Sequence, residues 1–325
     1  MNKQVKSILK ITLPLLLGVV LVWYSLSEIS IEVLVTHFKN ADYAWISLGL
    51  FFGLLSHMSR AYRWRFMIKP LGYRLGFSNS LMAVFAAYLV NYTIPRAGEV
   101  TRATIITNYE GVPFEKCFGT IVAERVADLI MMFVIVVVTL FLEFDFIYQF
   151  LLEKFNLTKI IFGGAILLVL VVVLFIYIKK SRSKFTIKLR SFLGGLLEGI
   201  LTIFKMKQKW AFIFHTVFIW VMYVLMFYVT SFAMSEFIDI PFSAILVGFI
   251  SASFSIAATN GGVGSYPLAV YAAFSIFGIA KDPSIAFGWI MWSSQTLMII
   301  ILGGISLIYL PIYNRKAIDK GTNPS

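Results

Sequence analysis

Apolar positions along this chain neither alternate with polar ones at the period of a strand nor form the single stripe of a soluble helix. They run together. Six segments, about 8 to 26, 44 to 60, 119 to 142, 160 to 178, 211 to 234 and 284 to 310, are apolar over 17 or more residues. At about 1.5 Å per residue each can cross a hydrocarbon core of about 30 Å. Two further apolar stretches, 78 to 110 and 241 to 280, are broken by Pro and Gly. The ten-residue alternation of a membrane barrel is missing. The pattern predicts an all-α polytopic membrane protein, one domain with a core from about 10 to 310.

Composition supports that reading. Of 325 residues, 59% are hydrophobic and 14% charged, and the mean hydropathy is +0.86. A soluble domain carries roughly 25% charge. The net charge of +12 would suggest nucleic acid in a soluble protein, but in a membrane protein Lys and Arg collect in cytoplasmic loops. Lys3, Lys6 and Lys10 precede the first span, Arg60, Arg63, Arg65, Lys69 and Arg74 fill 60 to 77, nine more lie in 179 to 210, and Arg315, Lys316 and Lys320 follow the last span. Twenty of the 28 basic residues thus fall on one face. The opposite loops are acidic, with Glu28, Asp42, Glu143, Glu236 and Asp282 among them. Both termini are expected in the cytoplasm, in a multi-pass protein of the cell's inner (plasma) membrane. No nucleic acid partner is expected. Residues 185 to 204 alternate apolar and basic positions at helical spacing, reading as a cytoplasmic amphipathic helix within 179 to 210.

Parity then constrains the broken stretches. Residues 77 and 118 both lie inside, and 240 and 281 both outside, so each stretch enters and returns on one side. The limb 98 to 110 carries Glu99, Arg102, Asn108 and Glu110, which makes it too short and too charged to cross lipid. A re-entrant helical hairpin satisfies both conditions, because irregular backbone at membrane depth is tolerated inside protein. For 241 to 280 a hairpin and two full crossings are both compatible with the pattern. The order span, hairpin, span occurs twice with opposite sense, an inverted-repeat arrangement in which the broken segments meet near the midplane.

Polar residues inside apolar sequence carry the candidate chemistry. Asn91, Pro95 and Gly98 break the first hairpin, and Arg96, Glu99 and Arg102 follow three residues apart. Such a stripe neutralises itself in part and still offers guanidinium donors to a phosphate. The alternative is that these charges lie at the cytoplasmic interface. Glu124, Arg125 and Asp128 fall in the first ten residues of the span from 119. Three charges near a helix centre cost roughly 9 kcal/mol, against about 4 to 8 gained from residues 130 to 142. That helix therefore needs partners: Arg125 with Asp128, and Arg96 or Arg102 opposite Glu124 and Asp128. They form either a polar groove for lipid headgroups or a structural ion-pair network. Gly262 and Gly264 sit in the uncharged second tip, where freed backbone N–H groups can cradle an anion or small residues can simply pack closely. His57, His215 and Gln295 read as satisfied buried polar residues. Cys117 is the only cysteine, so disulfide and zinc frameworks drop out, and neither nucleotide nor metal motifs occur. No metal or cofactor is expected.

The runs Asn91-Tyr-Thr-Ile-Pro95-Arg96-Ala-Gly98-Glu99-Val-Thr-Arg102, Ala123-Glu124-Arg125-Val-Ala-Asp128 and Gly261-Gly262-Val-Gly264-Ser-Tyr-Pro267 together resemble the lysylphosphatidylglycerol synthase transmembrane region, or flippase-like domain. The resemblance implies a domain that moves phospholipids, notably aminoacylated phosphatidylglycerol, between leaflets. In bifunctional members a soluble domain transfers lysine from tRNA to the lipid. Nothing in this sequence corresponds to it, so that activity is not expected here. The expectation is a lipid flippase or scramblase, not an enzyme, in which Asn91, Arg96, Arg102, Arg125, Gly262 and Gly264 contact the headgroup and Glu99, Glu124 and Asp128 pair with or gate the arginines. A partner lipid-modifying enzyme fits this plan. The alternatives are an enzyme or carrier acting on polyprenyl phosphates or glycolipids, and a scaffold for a lipid synthase.

Overall fold

A computed structural model describes residues 3–94, 97–144 and 206–315, with scattered positions between 148 and 187. Every regular element among the described residues is helical. In chain order they are α1 (Lys3–Ser27), α2 (Ile31–Asn40), α3 (Tyr43–Ile68), α4 (Phe77–Thr93), α5 (Ala97–Glu110), α6 (Phe114–Leu142), α7 (Lys209–Ser231), α8 (Phe242–Ala258), α9 (Ser265–Ser275) and α10 (Lys281–Tyr313). About half of the expected span at 160 to 178 is described, and each described position in it is helical, whereas the amphipathic segment within 179 to 210 falls mostly outside the described residues. Two compact units are present, residues 1–124 with 210–325, and residues 125–209.

Helices α6, α7 and α10 are each long and apolar enough to cross a membrane, and α1 from Leu16 with α2 meets the same test as one bent pair, with an angle of 85° between them. This is a multi-pass membrane protein. The bend has a local cause: Ser30 caps α2 by accepting a hydrogen bond from the Val33 amide at 3.2 Å, and a capped start forces a new helix axis. Asp42 caps α3 in the same way through Ala44, at 2.8 Å.

Each broken stretch folds back on itself. Helices α4 and α5 lie antiparallel: at the open end Glu110 Oε1 accepts from the Gly76 amide at 3.1 Å and from Asn79 at 2.7 Å. Near the tip, the Gly98 amide donates to Asn91 Oδ1 at 2.7 Å. Gly98 must be glycine, because a Cβ there would run into the Ala87 carbonyl and the Asn91 side chain. Helices α8 and α9 are also antiparallel, with the Ser251 hydroxyl donating to the Ala269 carbonyl at 2.8 Å and Ser255 and Ser265 hydroxyls 2.6 Å apart. Helix α10 packs along both hairpins. At its far end Asn314 and Asn79 exchange two amide hydrogen bonds, each 2.9 Å.

One expectation is overturned. The segment 60 to 77 does not begin as a cytoplasmic loop, since α3 continues to Ile68. Arg60 and Arg63 are buried in that helix, so they do not belong to the loop charges that set orientation. An arginine just past an apolar run looks like a loop residue when only hydropathy is counted. Here Ala61, Trp64, Met67 and Ile68, all buried, extend the packed face at helical spacing.

Candidate functional site

Two polar centres form within the first unit, one beside the lower half of α3 and one where the hairpin tips meet. The first is built on Glu124. Arg63 Nη2 donates to its Oε1 at 3.1 Å, and Arg102 Nη1 to its Oε2 at 2.6 Å. Helices α3, α5 and α6 are thereby tied through one carboxylate. Its two oxygens serve two guanidiniums, and charge-assisted bonds of this length are among the stronger ones. Arg63 also donates to Thr216 Oγ1 at 2.8 Å, drawing in α7. Arg102 lies over the Trp64 ring at 3.8 Å. That stack uses a face that a hydrogen bond cannot. The Trp64 indole N–H is in turn held by Thr120 at 2.8 Å. Glu124 and Arg63 are 0% exposed and Arg102 is 3% exposed. Charges this deep are tolerated only when paired and hydrogen-bonded.

The second centre arises from unsatisfied helix ends. The last turn of α4 has carbonyls with no intrahelical donor; Tyr92 is one of them, and Asn260 Nδ2 of the second tip donates to it at 2.8 Å. Gly261 lies against the Tyr92 ring, where a Cβ would come within 2.7 Å of it. Gly261 has φ +69°, in the region glycine adopts freely. Helix α10 closes the junction: Thr296 donates to the Tyr92 hydroxyl at 3.2 Å, and the Trp292 indole to the Gly261 carbonyl at 2.9 Å.

The sequence-derived candidates are distributed unevenly over these centres. Arg102 and Glu124 are brought together. Arg125 and Asp128 pair one turn apart at 3.5 Å in the second unit, and the Arg125 side chain is 43% exposed. Asn91 caps the first residues of α5 within its own hairpin. Gly262 and Gly264 have φ +77° and +68°. Gly262 packs against Ile256, Tyr266 and Trp292, and Gly264 touches the backbone of Leu21 and Val22, so α1 crosses the second tip at close range. Glu99 is on α5, half-buried. Arg96 lies outside the described residues. His215 shares a hydrogen bond with Ser59 at 2.8 Å. His57 is buried among Phe85, Tyr88 and Tyr223, and its Nδ1 has no hydrogen-bond partner among the described residues. No group of three metal-ligating side chains occurs among the described residues. Residues missed in the sequence are Arg60, Arg63, Trp64, Tyr92, Thr216 and Asn260. The signal for the arginines was their three-residue spacing on a helix that goes on beyond 60.

The model of the lysylphosphatidylglycerol synthase transmembrane region matches residues 11–304. The chain belongs to that family. A UPF0104 membrane protein of Methanocaldococcus jannaschii is 26% identical over 344 aligned positions, covering 96% of this chain and 97% of that protein. One from Pyrococcus horikoshii is 22% identical over 204, covering 62% of this chain and 56% of that protein. No solved structure matches. The family match spans both hairpins and the Glu124 network, so the two centres lie inside the shared region.

Proposed function

We propose that this family member is a flippase or scramblase that moves an anionic or aminoacylated phospholipid headgroup between leaflets. One observation carries the reading. The tips of two helical hairpins, about 170 residues apart in sequence, meet through Tyr92 and Asn260, as broken segments of inverted-repeat transporters do at the bilayer midplane. In this reading the hairpins are re-entrant from opposite faces, six helices span the inner (plasma) membrane, and both termini are cytoplasmic.

The Glu124 network acts as an anchor in this scheme. Its buried guanidiniums hold the first hairpin to α3, α6 and α7, so that the hairpin moves as a body. Arg102 is an anchor more than a phosphate donor, since its guanidinium is committed to Glu124 and Trp64. Arg96 and Arg125 are the remaining cationic candidates for the headgroup, and the tip junction is the seal that opens for its passage. The chain performs no covalent step, and a separate lipid-modifying enzyme supplies the cargo. With no nucleotide motif, uphill movement draws on a proton gradient or on the membrane potential, worth about 2.3 kcal/mol per charge per 100 mV.

The test is reconstitution into liposomes with a labelled anionic phospholipid. Leaflet exchange faster than in empty vesicles, and slowed by Arg125→Ala, supports the proposal. Exchange indistinguishable from empty vesicles across several headgroups, with and without a proton gradient, rejects it.

A further inference from the structure

A second feature of the first unit has no part in either polar centre. Helices α3 and α10 present apolar faces to each other without closing: Tyr43, Ile46 and Leu50 on one side, Leu297, Met298 and Ile301 on the other. The cavity left between them has a volume of about 510 Å³. The end of α2, at Phe38 and Ala41, covers its top. Leu297 and Ile301 are 58% and 50% exposed, so the cavity is a groove open at the side. Of its wall serines, Ser293 and Ser294 donate back to the carbonyls of Ile290 and Met291 at 3.3 and 3.0 Å, and the rest of the lining is apolar apart from Ser47 and the Tyr43 hydroxyl. Predominantly apolar cavities take apolar ligands.

We infer that this groove is a binding site for one acyl chain of an anionic phospholipid, with the phosphate at the α2 end. Four observations select the occupant. The α10 wall runs from Ile290 to Leu302, about 18 Å along the axis, close to the depth of one leaflet of a core about 30 Å thick. The groove flanks a spanning helix, where hydrocarbon is the surrounding medium. Next in sequence to the lining residue Phe38, Lys39 is exposed in the last turn of α2, a compact cation suited to a phosphate oxygen. Helix α2 bends 85° away from α1, the attitude of a helix lying in the interface. The second chain stays in the bilayer.

The inference deepens the lipid-transport reading and rests on it for the nature of the lipid. The groove borders the tip junction, since Trp292 and Thr296 lie on the adjacent face of the same α10 turns. A chain seated there keeps its headgroup on the outer approach to that junction.

The experiment is native mass spectrometry of the full chain released from nanodiscs containing equal phosphatidylglycerol and phosphatidylcholine. The wild type is expected to retain one phospholipid per chain, with phosphatidylglycerol favoured at least fivefold. Ser294→Phe and Leu50→Trp, which fill the groove, should reduce retention tenfold. Lys39→Glu, an exposed change that leaves packing alone, should abolish the preference for phosphatidylglycerol. Groove-filled variants that retain lipid as the wild type does, or an unchanged preference in Lys39→Glu, would overturn the site. In a parallel arm whose nanodiscs also contain polyprenyl phosphate in an amount equal to phosphatidylglycerol, displacement of the bound phospholipid by polyprenyl phosphate would overturn the occupant. Retention is read separately from transport: a wild type that holds its lipid yet fails to exchange leaflets removes the transport reading and leaves the groove.

Discussion

Replacing Glu124 by glutamine withdraws one charge while keeping shape, and two physical effects push in opposite directions. For α6 alone, losing an acid near a helix centre favours insertion by about 2.5 to 3.5 kcal/mol. In the folded protein the same change leaves Arg63 and Arg102 without the carboxylate that each contacts, at 3.1 and 2.6 Å. Breaking a buried pair by removing one partner costs about 3 to 5 kcal/mol. The two pairs share one carboxylate, so their losses do not add. Glu124→Gln should therefore destabilise by about 3 to 5 kcal/mol, a large part of a typical total of about 5 to 15. The measurement is reversible unfolding in mixed micelles, followed by tryptophan fluorescence. A companion variant with Arg63→Met, Arg102→Met and Glu124→Leu removes the whole network. It should be far closer to wild type than the single change, because apolar replacements of complete buried networks are often neutral or stabilising by about 1 to 4 kcal/mol. If Glu124→Gln is as stable as wild type, or more so, and the triple variant is simply the sum of its parts, the anchor role assigned to this carboxylate is wrong.

Other expectations follow from single contacts. Tyr92→Phe removes the hydroxyl that accepts from Thr296 and should lower stability by about 0.5 to 1.5 kcal/mol, while loosening the seal enough to raise passive leaflet exchange in liposomes. Gly264→Ala places a Cβ at φ +68° against the α1 backbone, so loss of folded protein on size-exclusion chromatography is expected, with at least about 1 to 3 kcal/mol from backbone strain alone. Trp64→Phe deletes the donor to Thr120 and narrows the surface beneath Arg102, and thermal unfolding should shift downward by more than for Trp210→Phe, whose side chain is exposed. Between α1 and α2, hydrogen bonds from Lys281 and then Tyr24 hold the Glu28 carboxyl below the ordinary carboxylate range. Its contribution is present above the unfolded value and disappears as pH falls through the lower folded value. Lys281→Ala should shift that titration upward, as read by the pH dependence of the melting temperature.

The helices and their breaks were legible because both are local. Asn91, Pro95 and Gly98 mark the first tip and Asn260 to Pro267 the second, since helix interiors reject those residues. The Arg102 to Glu124 contact was legible through energetics: an acid in an otherwise apolar helix demands a cation, and Arg102 lay within reach. Arg63 was not legible in the same way. It follows an apolar run, where hydropathy treats a cation as loop, and its partners Glu124 and Thr216 lie 61 and 153 residues away. The Tyr92 to Asn260 contact was anticipated only as a meeting of segments. Tyr92 contributes a backbone carbonyl, and no side-chain pattern reports which carbonyl will lack a donor.

The reciprocal amide pair between Asn79 and Asn314 imposes an order on biogenesis. The first hairpin is complete when residue 110 has left the ribosome, yet one clamp at its open end waits for a side chain roughly 200 residues downstream. At about 5 to 20 residues per second, that interval is on the order of ten to forty seconds. During it the hairpin's polar groups have to be sheltered by earlier partners, by chaperones or by the insertion machinery. Final locking therefore waits for the synthesis of Asn314, and a protein stalled shortly before Asn314 should be more vulnerable to membrane proteases than one stalled just after it.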